Sequence, residues 1–89
     1  MKIAKVFPDF KKITAQCELR RTLEFSIGRA SYRVEVFYCY SNPKSPWIAQ
    51  PYSEKPSGDW KSIPDFPLLG KKNEEAAIRT ALGFLQDLH

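Results

Sequence analysis

The sequence predicts an α+β fold: an antiparallel sheet of three to four strands, built on a long central β-hairpin, with one C-terminal α-helix packed on one face. Three observations predict it. Apolar residues alternate with polar ones from Ile13 to Tyr40. That alternation changes parity across Gly28-Arg29. A helical stripe of apolar residues then closes the chain after Asn73. Period two gives a strand one wet and one dry face, whereas i, i+3, i+4 spacing gives a helix one dry stripe.

In the hairpin, Ile13, Ala15, Cys17, Leu19, Leu23, Phe25 and Ile27 occupy odd positions, and Tyr32, Val34, Val36, Tyr38 and Tyr40 even ones. A two-residue turn at Gly28-Arg29 pairs Ile27 with Ala30, Phe25 with Tyr32 and Leu23 with Val34. Carried further without interruption, the same register sets Leu19 against Tyr38 and Cys17 against Tyr40. The outer face then pairs Ser26 with Ser31, Glu24 with Arg33 and Thr22 with Glu35. Glycine at the first turn position suits a type II′ turn, which needs φ > 0 there. Arg21 falls on the dry face opposite Val36, where an unpaired charge is costly. A β-bulge or bend near Arg20-Arg21 would turn it outward; the alternative is a three-residue loop at Arg20-Arg21-Thr22 that splits the strand.

Before the hairpin, Lys2 to Phe7 reads as a short strand ended by Pro8-Asp9. After it, six of the seven prolines fall between Ser41 and Gly70. There Trp47 to Gln50 reads as a short strand that Pro51 confines to an edge, because proline donates nothing to a ladder. Glu54 to Asp59 reads as a turn, and Ile63-Pro64-Asp65-Phe66-Pro67 as an extended connector. Trp60, Phe66 and Leu69 are expected under the helix. The helix itself opens at Asn73, a good N-cap, with Glu74 and Glu75 favouring the positive end of its dipole. Ala77, Ile78, Ala81, Leu82, Leu85 and Leu88 form its stripe, widened by Phe84. Gly83 is expected to mark a close approach.

With 89 residues, 43% of them hydrophobic, the chain is read as one domain spanning 1–89 and too apolar for intrinsic disorder. No apolar run reaches the ~20 residues of a membrane span, so no membrane contact is expected. Met1 to Val6 lacks the apolar core of a signal peptide, which gives a cytoplasmic expectation. The uninterrupted register places Cys17 on the dry face and Cys39 on the wet one, pointing apart, so both are expected as free thiols. Charge is uneven: Lys2, Lys5, Lys11, Lys12, Arg20, Arg21, Arg29 and Arg33 face only Asp9, Glu18 and Glu24 in the first third. Such a basic end attracts nucleic acid, an acidic protein or an anionic surface, although a merely solvated surface gives the same tally.

Chemistry for catalysis is sparse. His89, the only histidine, is the last residue of the sequence, where fraying and exposure are expected. No ligand spacing suggests a metal, the four glycines are isolated and form no phosphate loop, and Asp59 and Asp65 read as turn residues. Neither an enzyme nor a cofactor is therefore expected. The hairpin's wet face sets Arg20 and Arg33 against Glu18, Glu24 and Glu35, with Phe37 its one aromatic, which makes a poor platform for phosphates and stacked bases.

Two stretches resemble known families. From Ile63-Pro64-Asp65-Phe66-Pro67 through Asn73-Glu74-Glu75-Ala76 into Ala81-Leu82, the chain is similar to the close of HicB-type antitoxin domains. Its preceding loops depart from that pattern, and no DNA-binding tail matches. Gly70-Lys71-Lys72 before an alanine-bearing helix resembles double-stranded RNA-binding domains, but those place a helix before the sheet and residues 1–12 leave no room for one. No family is assigned on these stretches.

The expectation is a small non-enzymatic binding or regulatory module, an inhibitor or adaptor, that docks on a macromolecular partner. Its surfaces would be a basic rim of Lys11, Lys12, Arg20, Arg21 and Arg29 and an aromatic, proline-rich loop bearing Trp47 and Tyr52. A protein partner leads, with homodimerisation through an edge strand beside it. The competing expectation is non-sequence-specific nucleic-acid binding by the basic N-terminal third.

Overall fold

The computed structural model describes residues Cys17 to His89. The proposed strand at Lys2–Phe7, together with Lys11 and Lys12, lies outside them. Four antiparallel strands run in sheet order β1-β2-β3-β4: β1 (Cys17–Ile27), β2 (Ala30–Cys39), β3 (Trp47–Glu54) and β4 (Trp60–Ser62). Among the described residues one helix, α1 (Glu74–Asp87), packs on β3 and β2. The fold class read from the sequence is the one observed.

The central hairpin follows the predicted register from Ile27↔Ala30 to Arg21↔Val36. Gly28 adopts φ 61 while Arg29 stays outside the left-handed region, as a type II′ turn requires. On the helix side, Tyr32, Val34 and Val36 of β2, Ala49 of β3 and Ala77, Ala81 and Leu85 of α1 form the buried core with Ile63. Leu23, Phe25 and Ile27 pack against its margin.

Between Leu19 and Arg21 the register shifts by one residue. Arg20 is the extra residue of a β-bulge, and beyond it each β1 residue meets a different partner: Leu19 faces Phe37, Glu18 faces Tyr38 and Cys17 faces Cys39. Two cysteines now sit directly opposite one another, and they are bonded, Cys17 Sγ to Cys39 Sγ. The free-thiol expectation is thus overturned. Alternation fixes faces only while the count of residues on both strands is equal, and one extra residue brings both sulfurs to the same face. Burial is also reversed from expectation: Cys39 is 1% exposed and Cys17 is half-buried.

Past β2 the chain is more regular than its prolines suggest. β3 continues through Pro51, which pairs in register with Val34. Pro51 O accepts from Ile63 N at 3.1 Å, so the backbone groups of that residue face away from β2. Its missing proton therefore costs no β2–β3 bond. β4 lies between the expected turn and connector, and it covers only Tyr52 to Glu54 of β3. At the other end of that edge, Trp47 and Lys71 exchange two backbone bonds of 3.1 and 2.7 Å. Gly70, beside Lys71, marks the close approach: a Cβ there would run into Ser45 O. At Gly83, where a close approach was expected, a Cβ would meet nothing.

Asn73 caps α1 as expected, its Oδ1 accepting from Ala76 N at 2.8 Å. Phe66 packs edge-on to Phe84 with ring centres 5.1 Å apart. Trp60 and Leu69 do not join it under the helix. Trp60 lies under the Arg33 guanidinium, and Leu69 is exposed. His89, expected to fray, bonds the Tyr32 hydroxyl through Nε2 at 2.6 Å, tying the end of the helix to the sheet.

Candidate functional site

The bulge does more than pair the cysteines. Its two adjacent residues share one partner, Val36, and so turn to the same side of the sheet. Arg21 resolves its predicted conflict by reaching past the core margin to the first turn of α1, where its Nε lies 3.2 Å from Glu74 Oε2. Arg20, expected on the wet face, instead stands over the Tyr38 ring, 5.0 Å from its centre.

Tyr38 is the hub of an aromatic chain at this end of the sheet. Its ring lies edge-on to Tyr40 at 5.0 Å and to Trp47, its partner on β3, at 5.1 Å. Arg20 donates to the Tyr40 hydroxyl at 3.1 Å and holds Glu18 Oε1 at 2.7 Å, and Tyr40 in turn donates to Glu18 Oε2 at 3.3 Å. The Tyr40 bond first, then the Glu18 charge, push the Arg20 pKa up, while desolvation opposes them. The guanidinium is thus a fixed cation presented on a ring face, and Tyr40 is 54% exposed at the rim.

On the opposite face, Leu19, Phe37 and Ile48 form a row across three strands beside the cystine, with Leu19 45% exposed. The cystine end thus carries an aromatic and charged face on one side of the sheet and an apolar row on the other. Further along the outer face, Arg33 bonds Glu24 through Nε at 2.9 Å and stacks on Trp60 at 4.6 Å. Tyr52, paired in register with Arg33, has its pKa pushed up to about 12 by burial and by the Glu35 carboxylate, against the opposing charge of Arg33.

The residues singled out by sequence divide accordingly. Arg20, Arg21 and Trp47 gather at the cystine end. Arg29 sits in the hairpin turn at the other end of β1, beyond the run from Arg21 to Ile27. Trp47 and Tyr52 both belong to β3 rather than to a loop, and five positions apart they face opposite sides of the sheet. Tyr38, Tyr40 and Glu18 are the members that sequence reasoning missed. Their signal was the Arg20-Arg21 pair, which interrupts the alternation of the first strand.

Comparison with protein-family models, with characterised proteins and with solved structures finds no match for this chain. Its site is therefore read from its own chemistry. Among the described residues no group of three or more His, Cys, Asp or Glu side chains could hold a metal ion. No helix among them is long and apolar enough to cross a membrane. What the cystine end offers is recognition chemistry: ordered aromatic edges, a stacked guanidinium and flanking apolar side chains.

Proposed function

We propose that this domain is a non-enzymatic binding module that docks on a protein partner through the cystine end of its sheet. The observation that supports this reading is the Arg20-Tyr38-Tyr40-Trp47 assembly, held together by ring contacts of 5.0–5.1 Å. Tyrosine, tryptophan and arginine supply large contact area at low ordering cost, which is why they dominate interface energetics. Here the sheet, the bulge and Glu18 have already ordered them, so little conformational entropy is left to lose on binding.

At the cystine end a protein partner is favoured over nucleic acid because Arg20 and Arg21 already hold the carboxylates of Glu18 and Glu74. Phosphate binding draws its affinity from counterions that the nucleic acid sheds as Lys and Arg neutralise it, and a cation already paired with a carboxylate does this poorly. Self-association through β3 at Trp47 would require the Lys71 bridge to open. The Cys17–Cys39 bond bears on location, since structural disulfides persist in oxidising compartments. It weighs against the cytoplasmic expectation.

Affinity capture with wild type, Tyr40→Ala and Trp47→Ala at rising salt tests this reading, with a single-stranded oligonucleotide titrated in parallel. Salt-tolerant retention of a protein should drop by about thirtyfold in affinity in Trp47→Ala, corresponding to roughly 2 kcal/mol. Oligonucleotide binding that collapses with salt, with capture indifferent to both substitutions, would transfer the function to nucleic acid.

A further inference from the structure

We infer that the Cys17–Cys39 bond is a redox gate on the docking surface: a dithiol that reduces it loosens the cystine end and leaves the rest of the domain folded. This rests on the reading that the cystine end is the docking surface. Beyond the bulge, the described part of β1 contributes Cys17, Glu18 and Leu19 to the ladder. The helix packs chiefly on β3 and less on β2, with its contact to β1 made at Arg21, on the core side of the stub. Leu19 and Arg20 are exposed, and surface ion pairs such as Arg20–Glu18 hold little on their own. The covalent bond is thus the strongest tie between this stub and β2. The core, by contrast, lies on the far side of the bulge, at Tyr32, Val34, Val36, Ala49 and Leu85.

The two sulfurs differ in access, and that sets the order of events. Cys17 is half-buried while Cys39 is 1% exposed. A thiolate of the dithiol attacks Cys17 Sγ, the S–S bond breaks, and the electron pair leaves on Cys39 Sγ, which takes up a proton. The dithiol's second thiol then attacks its own sulfur in the mixed disulfide and releases the Cys17 thiol. In sum, one cystine and one dithiol give two cysteines and one cyclic disulfide. Freed, the stub no longer fixes Glu18 and Arg20 against Tyr40 and Tyr38, and the aromatic chain loses its cation.

The test compares oxidised protein, protein reduced with dithiothreitol and the Cys17→Ser/Cys39→Ser variant by residue-level amide hydrogen exchange, and then by partner capture. Thiol titration of the denatured, untreated protein should find no free thiol. Reduction should speed exchange at Glu18 and Tyr38, the bonded pair of the stub, by about tenfold or more, with Val34, Val36, Ala81 and Leu85 unchanged. The variant should match the reduced protein and ignore dithiothreitol. Two free thiols before treatment, unchanged exchange after it, or acceleration throughout the core would each overturn the gate, the last making the bond a plain staple. Capture that survives reduction despite local loosening also overturns it. Capture by oxidised Tyr40→Ala at wild-type strength instead removes the docking reading, and the exchange result is untouched.

Discussion

Replacing both cysteines, Cys17→Ser with Cys39→Ser, removes the one covalent tie between strands, and the chain itself sets the expected cost. The bond joins positions 22 residues apart. In the chain-entropy account, a closed loop of that length is worth about 3 kcal/mol at 25 °C. Residual hairpin structure at the Gly28-Arg29 turn in the unfolded chain lowers the figure toward about 2 kcal/mol. The assay is guanidinium unfolding without reductant, followed by Trp fluorescence. With a slope of roughly 3 kcal/mol per molar for a domain of this size, the midpoint should fall by about 0.7 to 1 M. The variant should still unfold cooperatively, because the contiguous cluster of β2, β3 and α1 lies apart from the cystine, although Cys39 itself is buried. A midpoint unmoved by the double substitution would refute the chain-entropy argument. A variant with no folded baseline would refute the claim that the core stands alone.

Other consequences can be measured separately. Deleting Arg20 should leave Leu19 opposite Phe37 and Cys17 opposite Cys39 in an uninterrupted ladder, so a non-reducing thiol count should still find the disulfide; free thiols would place the bulge elsewhere. Leu85→Ala, at a fully buried helix position, should cost about 2–5 kcal/mol by chemical denaturation, and a loss under 1 kcal/mol would mean the helix is not seated as described. Asn73→Ala should lower stability by about 1 kcal/mol through loss of the cap to Ala76 N, measured as a lower Tm. Ultraviolet titration should find one tyrosine ionising near pH 12. Because the folded state holds that Tyr52 proton more tightly than the unfolded one, stability should fall as pH rises from about 10 to 12; Tyr52→Phe should abolish this component.

How far the sequence was legible depended on where the residue count stayed regular. From Arg21 to Val36, alternation and one glycine with φ 61 sufficed to place every pair. Asn73 and the spacing of Ala77, Ala81 and Leu85 did the same for the helix. Below Arg21 the periodic argument failed, because a bulge costs one residue and leaves little mark in composition. The adjacent arginines hinted at it, but the shift it imposes on Leu19 and Cys17 follows only once the hint is taken as fact. Trp60 was misplaced for another reason. Hydrophobicity alone sends tryptophan to the core, yet its ring found a guanidinium on the outer face. The Tyr32–His89 bond was beyond reach, since it joins residues 57 apart that share no local pattern.

Pro51 also sets the perimeter of the sheet. Its carbonyl receives the amide of Ile63, but it has no proton to return, so the rung after Ser62 is half made and the ladder goes no further. The chain is released at that point into the run through Ile63 and Phe66, which crosses to the Lys71 bridge and delivers Asn73 to the start of α1. An imino acid in mid-strand thus decides how wide the sheet grows and where the polypeptide departs for its helix. It also withholds the next hydrogen-bond donor from any foreign strand that would extend the sheet on that side.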